Sequence, residues 1–244
     1  MIKDLNCDSV ITEHVASLNI NCDNKQKIKI IEQIIQSGKV GQEALLNFLV
    51  NRYIMQNQNV EFLDGLIFEF LYFYSIDDIK KKLNSYFPFG LVDLQSSLQL
   101  NYQPLQDLLM NRDFQKADSL TQSYLCSLTN SDKKYNRNWL YFTDISTLPC
   151  EDLYVLDKLW RTYSRDKFGF SIQRKIWLST DCNWEKFWLR IGWNKNGIPL
   201  RYPNEFIWNI DAPDGHLPLF NQLRGVQVIA ALFNHSVWTE DESV

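Results

Sequence analysis

The residues with the clearest chemical potential in this chain stand close together, between positions 193 and 224. Trp193, Tyr202, Phe206 and Trp208 lie in a stretch with few charges, and Arg224 follows shortly after them. Aromatic rings can cover the faces of a large flat apolar ligand, and a guanidinium can bind a carboxylate through two parallel hydrogen bonds. The pattern favours a planar ligand that carries carboxylates. It is also compatible with aromatic rings packed in a core and Arg224 as a surface charge, which is the commoner arrangement of aromatic clusters.

Three titratable side chains occupy the same stretch. His216 has the chemistry of a haem or metal ligand, but a lone loop histidine more often bonds to the backbone, and we predict that structural role. Asp211 and Asp214 could form the carboxylate pair of a glycosidase, yet the residue types around them in sequence are also typical of turns. No nucleophile elbow, P-loop or dinucleotide fingerprint occurs, and the three histidines are not paired at helical spacing, so we predict no metal site and no catalytic residue.

The elements that must position these residues are helical. Leu63, Ile67, Phe70 and Tyr74 follow the spacing of an amphipathic helix. Three further helices are indicated in the same region: one between an N-cap at Asp23 and Gly38, one carrying Leu45, Phe48 and Leu49, and one capped by Ser75 that carries Ile76, Ile79 and Leu83. Four short helices joined by tight turns predict a small bundle or a repeat-like stack.

The second region contains all eight tryptophans, because each of them follows residue 138. Its helices are indicated by a first-turn proline at Pro104, an N-cap at Asp113, and apolar faces made by Leu153, Leu156 and Trp160, by Trp184, Phe187, Trp188 and Ile191, and by Val226, Ile229, Ala230 and Phe233. An irregular segment from Gly192 to Leu219 contains four prolines. A loop of that length inside a compact domain is typically functional.

We therefore predict an all-α protein with a boundary in the stretch interrupted by Pro88 and Gly90. Residues 1–96 are predicted to form the N-terminal helical domain, with about the first 20 residues disordered. Residues 97–238 are predicted to form a helical core domain that carries the long irregular loop. Residues 239–244 are predicted to be an acidic tail.

Composition excludes several classes of function. A net charge of −4 argues against nucleic-acid binding, which requires many neutralised phosphates. The five cysteines show no C-x-x-C spacing, so a disulfide framework has little support and a reducing compartment fits better. No stretch of eighteen apolar residues exists, so we predict no transmembrane segment, while peripheral contact with a membrane stays open.

Several short motifs in the second region occur in a specific order and spacing. This order resembles the genomes-uncoupled-four family of tetrapyrrole-binding proteins over about residues 101 to 238. The matching stretches are Tyr102-x-x-Leu105-x-x-Leu108-Leu109, Phe114-x-x-Ala117-Asp118-x-x-Thr121, Leu159-Trp160-x-x-x-Ser164, Phe168-Gly169-Phe170-Ser171-x-Gln173-x-x-Ile176-Trp177, Gly192-Trp193, Tyr202-Pro203, Gly215-His216-Leu217-Pro218 and Asn221-Gln222-Leu223-Arg224-Gly225. The first region looks like the extra helical domain of cyanobacterial and plastid-encoded members.

The resemblance implies an all-α tetrapyrrole-binding core. It further implies a non-catalytic protein that binds protoporphyrin IX and Mg-protoporphyrin IX and stimulates magnesium chelatase in chlorophyll synthesis. No cofactor is implied as obligatory. Asn221 and Arg224 match positions at the rim of the groove, Phe206 matches the mobile loop that closes over the ligand, and Gln227 stands where relatives often have a second arginine. The implied porphyrin-binding residues are Asn221, Arg224, Gln227, Phe206, Tyr202, Trp208, Phe142 and Trp193.

The implied partners are tetrapyrroles and the large porphyrin-binding subunit of magnesium chelatase, and we expect a monomer. The expected location is the chloroplast stroma, with the cytoplasm of a cyanobacterium as the alternative. The N-terminus lacks a signal or transit pattern, so we expect a plastid member to be made inside the plastid. Rival interpretations are an enzyme that acts on the tetrapyrrole, a helical scaffold without ligand, and a haem or bilin binder without chelatase activation.

Overall fold

A computed structural model describes residues 11–18, 23–94, 97–129, 139–195, 197–219 and 226–240 of the chain. The chain divides into two compact units, Met1–Leu91 and Val92–Val244. The sequence-based boundary lies between residues 96 and 97. Val92 belongs to the second unit, because its N–H and C=O form hydrogen bonds of 3.0 and 3.1 Å with the side-chain amide of Gln106.

The described part of the first unit is helical. Its helices are α1 at residues 11–17, α2 at Asn24–Gln36, α3 at Lys39–Val50, α4 at Phe62–Tyr74 and α5 at Asp77–Tyr86, and α3 continues into a π-helical turn at Asn51–Met55. Residues 11–18 differ from the expectation of disorder, because Ile11 and Leu18 are buried. Apolar side chains at helical spacing provide the physical reason, since they give even this short helix a face to bury.

Helix α4 is the central element of this unit and is apolar nearly all round. Its start is fixed by a reciprocal capping box between Glu61 and Asp64. Arg52 donates to Asp64 at 2.8 Å and to Glu61 at 3.0 Å. Ser75 does not cap α5 as predicted, because its hydroxyl donates back to the carbonyl of Leu71 at 2.6 Å and so terminates α4 instead.

The second unit is also mainly helical. Its elements are α6 at Gln103–Met110, α7 at Phe114–Thr129, α8 at Phe142–Ile145, α9 at Cys150–Thr162, α10 at Phe170–Ser179, α11 at Trp184–Arg190, β1 at Asn194–Lys195, β2 at Ile198–Pro199, α12 at Val226–Phe233 and α13 at Val237–Glu240. The two strands pair antiparallel in a minimal hairpin, with Asn194 opposite Pro199. The predicted all-α class is confirmed, because this hairpin interrupts a helical unit only briefly.

Aromatic rings form the core of the second unit. The ring centre of Trp160 lies 6.1 Å from that of Phe114 and 6.5 Å from that of Phe168. The indole N–H of Trp160 donates to the hydroxyl of Thr121 at 3.0 Å. A second cluster joins α10, α11 and α12 through Trp177, Trp184, Phe187 and Phe233. These clusters hold the helices on which the long loop rests. Among the described residues, no helix combines the length and apolar character needed to cross a membrane.

Candidate functional site

Hydrogen bonds of His216 hold the long loop between α11 and α12 in place. This side chain is fully buried. Its Nε2 accepts the N–H of Ile207 at 3.1 Å, so the ring proton lies on Nδ1, which donates to the carbonyl of Ile191 at 2.7 Å. Burial lowers the pKa of His216, and the bond to Ile191 opposes that shift. The prediction that His216 bonds to the backbone is confirmed, and neither ring nitrogen is available to a metal in this arrangement.

Gln173 of α10 holds the same part of the loop from the other side. Its buried amide donates to the carbonyls of Gly215 and Pro218, at 2.9 and 2.7 Å. Gly215 lies so close to α10 that a Cβ there would come within 2.8 Å of Ile176, and its φ of 74° is itself unfavourable for other residues. The indole of Trp193 adds a bond to the carbonyl of His216 at 2.8 Å.

Helix α7 fixes the end of the loop. Asp118, which is buried, accepts the backbone N–H of Leu219 at 2.6 Å. Burial raises the pKa of Asp118 to about 7, although the bond from Leu219 lowers it in part. Lys167 contributes a further bond at 2.6 Å to the carbonyl of Ile210. The stretch from Trp208 to Leu219 is therefore irregular in conformation, but it is held by hydrogen bonds with α7, with α10 and with Ile191 at the end of α11.

The first arm of the loop, residues 198–207, contrasts with this bonded stretch because it presents side chains to solvent. Ile198, Tyr202 and Ile207 are exposed. The Tyr202 hydroxyl lies 3.3 Å from the hydroxyl of Ser119 on α7, and its ring meets Trp208 edge to face at 5.9 Å. The arm thus offers aromatic and aliphatic surface next to α7, held there by an exposed hydrogen bond.

The predicted site residues that the structure describes differ in exposure, and Trp208 is half-buried. Tyr202 and Phe142 are 46% and 52% exposed, and Gln227 is exposed on α12. Phe206 and Trp193 are only 6% and 4% exposed. Trp193 in this conformation supports the loop and presents no face to solvent. Asn221 and Arg224 lie outside the described residues.

The loop brings three of these residues into one cluster, in which Trp208 lies between Tyr202 and Phe206, with ring centres 5.9 and 6.2 Å apart. Phe206 also lies 5.5 Å from His216. Phe142 and Gln227 stand on α8 and α12, two short helices that pack against each other. The predicted site residues therefore lie in two places, the aromatic cluster of the loop and the pair of helices α8 and α12.

Sequence reasoning from chemistry alone missed three residues that organise the loop: Asp118, Ser119 and Gln173. A signal was present for Asp118 and Gln173. Each stands at the buried position of its helix, where an apolar residue would be ordinary, and buried polar side chains usually have a specific partner. Their partners lie 101 and 42 to 45 residues further along the chain, and no local pattern identifies a partner at that separation.

The carboxylates of the loop occupy turns. Asp211 and Asp214 are both exposed, and the N–H of Asp211 is bonded to the side chain of Asn209 at 2.8 Å. This is the arrangement of an ordinary Asx turn. Within the described ranges, no group of three histidine, cysteine or acidic side chains is arranged to hold a metal ion.

Two family models match the chain, one to each unit. A GUN4-like model matches residues 95–236, and a model described as the ARM-like repeat domain, GUN4-N terminal, matches residues 12–88. The core fold also resembles a solved structure of GUN4 from Chlamydomonas reinhardtii, with 38% identity and a TM-score of 0.55. That match covers 60% of this chain and 95% of the other.

Two curated relatives illustrate the range of similarity. The chain is 48% identical over 214 residues to the uncharacterized protein ycf53 of Pyropia yezoensis, a match that covers 88% of this chain and 90% of that protein. It is 33% identical over 152 residues to a protein of Arabidopsis thaliana named tetrapyrrole-binding protein, chloroplastic. That match covers 58% of this chain and 57% of the relative.

Proposed function

Because this chain belongs to the GUN4-like family, we propose that it binds a tetrapyrrole in its second unit, beside the loop between α11 and α12. The observation that carries the proposal is the first arm of that loop, where Tyr202 and Ile207 remain 46% and 43% exposed on a segment whose continuation is firmly bonded. Exposed aromatic surface on a rigidly supported loop fits a flat apolar ligand. The Arabidopsis relative, named for tetrapyrrole binding, supports the same ligand class.

The ligand we propose is protoporphyrin IX or Mg-protoporphyrin IX. Tyr202, Trp208 and Phe142 would contact the macrocycle, while Phe206 and Trp193 would support the loop from beneath. Arg224 and Asn221 would bind the propionates, since both follow the loop closely in sequence. Gln227 supplies an exposed neutral amide on α12.

The proposed role is regulatory and non-catalytic. The protein would bring porphyrin to magnesium chelatase, or remove the product, through contact with the large porphyrin-binding subunit. His216, the titratable group most enclosed in the loop, is engaged by two backbone groups, which favours binding over chemistry. We place this activity in a plastid or a cyanobacterium, in line with the ycf53 and chloroplastic relatives, and we expect a monomer.

A titration with protoporphyrin IX tests the binding proposal. Every tryptophan of the chain lies in the second unit, so bound porphyrin should quench tryptophan emission saturably. A linear decrease without saturation would reflect only absorption of light by the porphyrin and would contradict binding. Chromatography of the porphyrin after incubation should recover it unchanged, whereas any new product would favour the enzyme interpretation.

The regulatory part needs a separate assay. Adding the protein to magnesium chelatase should raise the rate of Mg-protoporphyrin formation at low porphyrin concentration. Saturable binding without any effect on that rate would favour the rival interpretation of a haem or bilin binder. Failure of both assays would favour a helical scaffold.

A further inference from the structure

Tyr202, an exposed aromatic residue of the first arm of the loop, is held both at its hydroxyl and at its ring. The hydroxyl lies 3.3 Å from that of Ser119 on α7, and the ring meets Trp208 edge to face with 5.9 Å between the ring centres. Trp208 is itself fixed within the loop, because its indole N–H donates to the carbonyl of Pro203 at 2.9 Å. A helix and the loop together therefore restrain the orientation of this exposed ring.

The hydrogen bonds of Ser119 determine which of the two hydroxyls is the donor. Ser119 donates to the carbonyl of Gln115, one turn earlier on α7, at 3.2 Å. A serine hydroxyl has one proton and two lone pairs, so the proton shared between Ser119 and Tyr202 comes from the phenol. The phenolic proton of Tyr202 is thus directed to α7, and the part of the side chain that is left for a ligand is its ring.

Helix α7 gives Ser119 a fixed position. Phe114 and Thr121 of the same helix are buried, and both contact Trp160. Phe114 stacks on the Trp160 ring with 6.1 Å between the ring centres, and Thr121 accepts the indole N–H at 3.0 Å. A side chain that is to orient another one must stand on an element locked by packing, and α7 meets that condition.

The backbone on either side of Tyr202 forms a closed turn. The N–H of Glu205 donates to the carbonyl of Arg201 at 3.1 Å, and the Glu205 carboxylate accepts the N–H of Arg201 at 2.7 Å. The N–H of Phe206 donates to the carbonyl of Pro203 at 3.3 Å. The turn is therefore compact by itself, and the hydrogen bond from Tyr202 to Ser119 joins it to a helix of the second unit.

We propose that Ser119 is a positioning residue of the tetrapyrrole site: by accepting the hydroxyl proton of Tyr202, it holds the exposed ring of Tyr202 in the orientation that contacts the macrocycle. This inference rests on the proposed function. A ring whose orientation is set before binding loses less conformational freedom when the ligand arrives, and this favours binding. Ser119 acts through Tyr202 and not on the ligand, since its hydroxyl is already bonded to Tyr202 and Gln115.

Full-length variants titrated with protoporphyrin IX test the assignment. Ser119→Ala removes the acceptor, Tyr202→Phe removes the phenolic proton but keeps the ring, and the double variant measures the coupling between the two changes. Ser127→Ala is the matched control, because Ser127 is also exposed on α7 and donates to the carbonyl four residues earlier, that of Ser123, at 2.9 Å. Ser127 stands about 12 Å further along the helix than Ser119. Dissociation constants come from tryptophan quenching.

We expect Ser119→Ala and Tyr202→Phe each to weaken porphyrin binding about threefold, the effect of losing one exposed neutral hydrogen bond. The double variant should bind no more weakly than either single variant. Ser119→Thr, which keeps a hydroxyl, and Ser127→Ala should bind like the wild type. Ser119→Ala should also be at least as stable to urea as the wild type, because alanine favours a helix more than serine does.

Unchanged affinity in Ser119→Ala would overturn the assignment. Additive losses in the double variant would also overturn it, because they would mean that the Tyr202 hydroxyl contacts the ligand independently of Ser119. An equal loss in Ser119→Thr or Ser127→Ala would show that the hydroxyl at residue 119 has no particular role. A wild-type protein that does not bind porphyrin would instead overturn the proposed function, and the inference with it.

Discussion

The two units are both helical, but they use buried polar groups differently. In the first unit, the buried carboxylate of Asp64 is paired with Arg52, and it caps the start of α4. In the second unit, Gln173, His216 and Asp118 all bond to backbone groups of an irregular loop. Helices satisfy their own backbone, whereas a loop needs outside partners for each buried N–H and C=O. The second unit therefore maintains a shaped loop, as the tetrapyrrole-binding role proposed for it requires.

The largest expected effect compares one buried glutamine from each unit. Gln173→Leu removes the donors to two loop carbonyls and should lower the free energy of unfolding by about 2–4 kcal/mol. Gln42→Leu in the first unit removes one short hydrogen bond, from the N–H of Ile76 at 2.9 Å, and one long hydrogen bond, to the carbonyl of Ile35 at 3.4 Å. We therefore expect the free energy of unfolding to fall by about 1–2 kcal/mol.

Urea unfolding followed by circular dichroism measures both glutamine variants, and tryptophan emission follows the second unit separately, since all tryptophans lie there. A larger loss for Gln42→Leu than for Gln173→Leu would remove the contrast between the units.

A somewhat smaller effect is expected on affinity when a charge is reversed. Arg224→Glu removes a bidentate donor and adds repulsion, so porphyrin binding should weaken by about 1.5–3 kcal/mol. Lys81→Glu makes the same charge change at an exposed position of the first unit and should leave the dissociation constant unchanged. Quenching titrations at two salt concentrations measure both variants. Equal behaviour of the two would show that propionates are bound elsewhere.

The pH dependence of stability gives a further contrast, centred on Asp118. The pKa of Asp118 is about 7 in the folded protein, above the unfolded value of 3.8. Its protonated form therefore stabilises the folded state fully below pH 3.8, and this stabilisation is lost as the pH rises through 7. Asp118→Asn does not ionise, but its amide brings new donors that need partners. We expect the variant to be more stable than the wild type by about 1–2 kcal/mol at pH 8.

The difference between Asp118→Asn and the wild type should shrink towards pH 4, as measured by urea midpoints at each pH. A difference that grows as the pH falls would mean that Asp118 is ionised and stabilised in the folded protein.

Local spacing predicts the helices well, because a helix buries a face that repeats along the sequence. The apolar series that predicts α4 ends at Tyr74, where the helix ends, and the series from Val226 to Phe233 coincides with α12. The cap assigned to Ser75 was wrong, because a serine hydroxyl can bond backward to a carbonyl as readily as forward to an N–H. Composition alone does not distinguish these two choices.

For the loop, the sequence predicted a functional segment but not which side chains are buried or which partners they bond to. The loop's length and proline content predicted a functional segment, and the resemblance to the family, now confirmed, indicated the class of ligand that we propose. The burial of Trp193 and Phe206 could not be predicted, because an aromatic residue packs inward or outward according to partners distant in sequence. His216 accepts a hydrogen bond from the N–H of Ile207 and donates one to the carbonyl of Ile191, and these partners flank it only after the loop has turned back on α11.

The smallest expected effect tests the division of labour directly. A fragment spanning Val92–Val244 keeps the pairing between Val92 and Gln106 and contains all the tryptophans and every proposed ligand-binding residue. We expect it to bind protoporphyrin IX within tenfold of the full chain, a difference below about 1.4 kcal/mol. Both proteins must be compared at a temperature where circular dichroism shows each to be folded, since loss of the first unit changes stability as well. Binding more than tenfold weaker in the folded fragment would mean that the first unit contributes to the site. Equal binding with reduced stimulation of chelatase would instead assign the first unit to partner contact, because the helical surfaces of an ARM-like repeat domain are of the kind that bind other proteins.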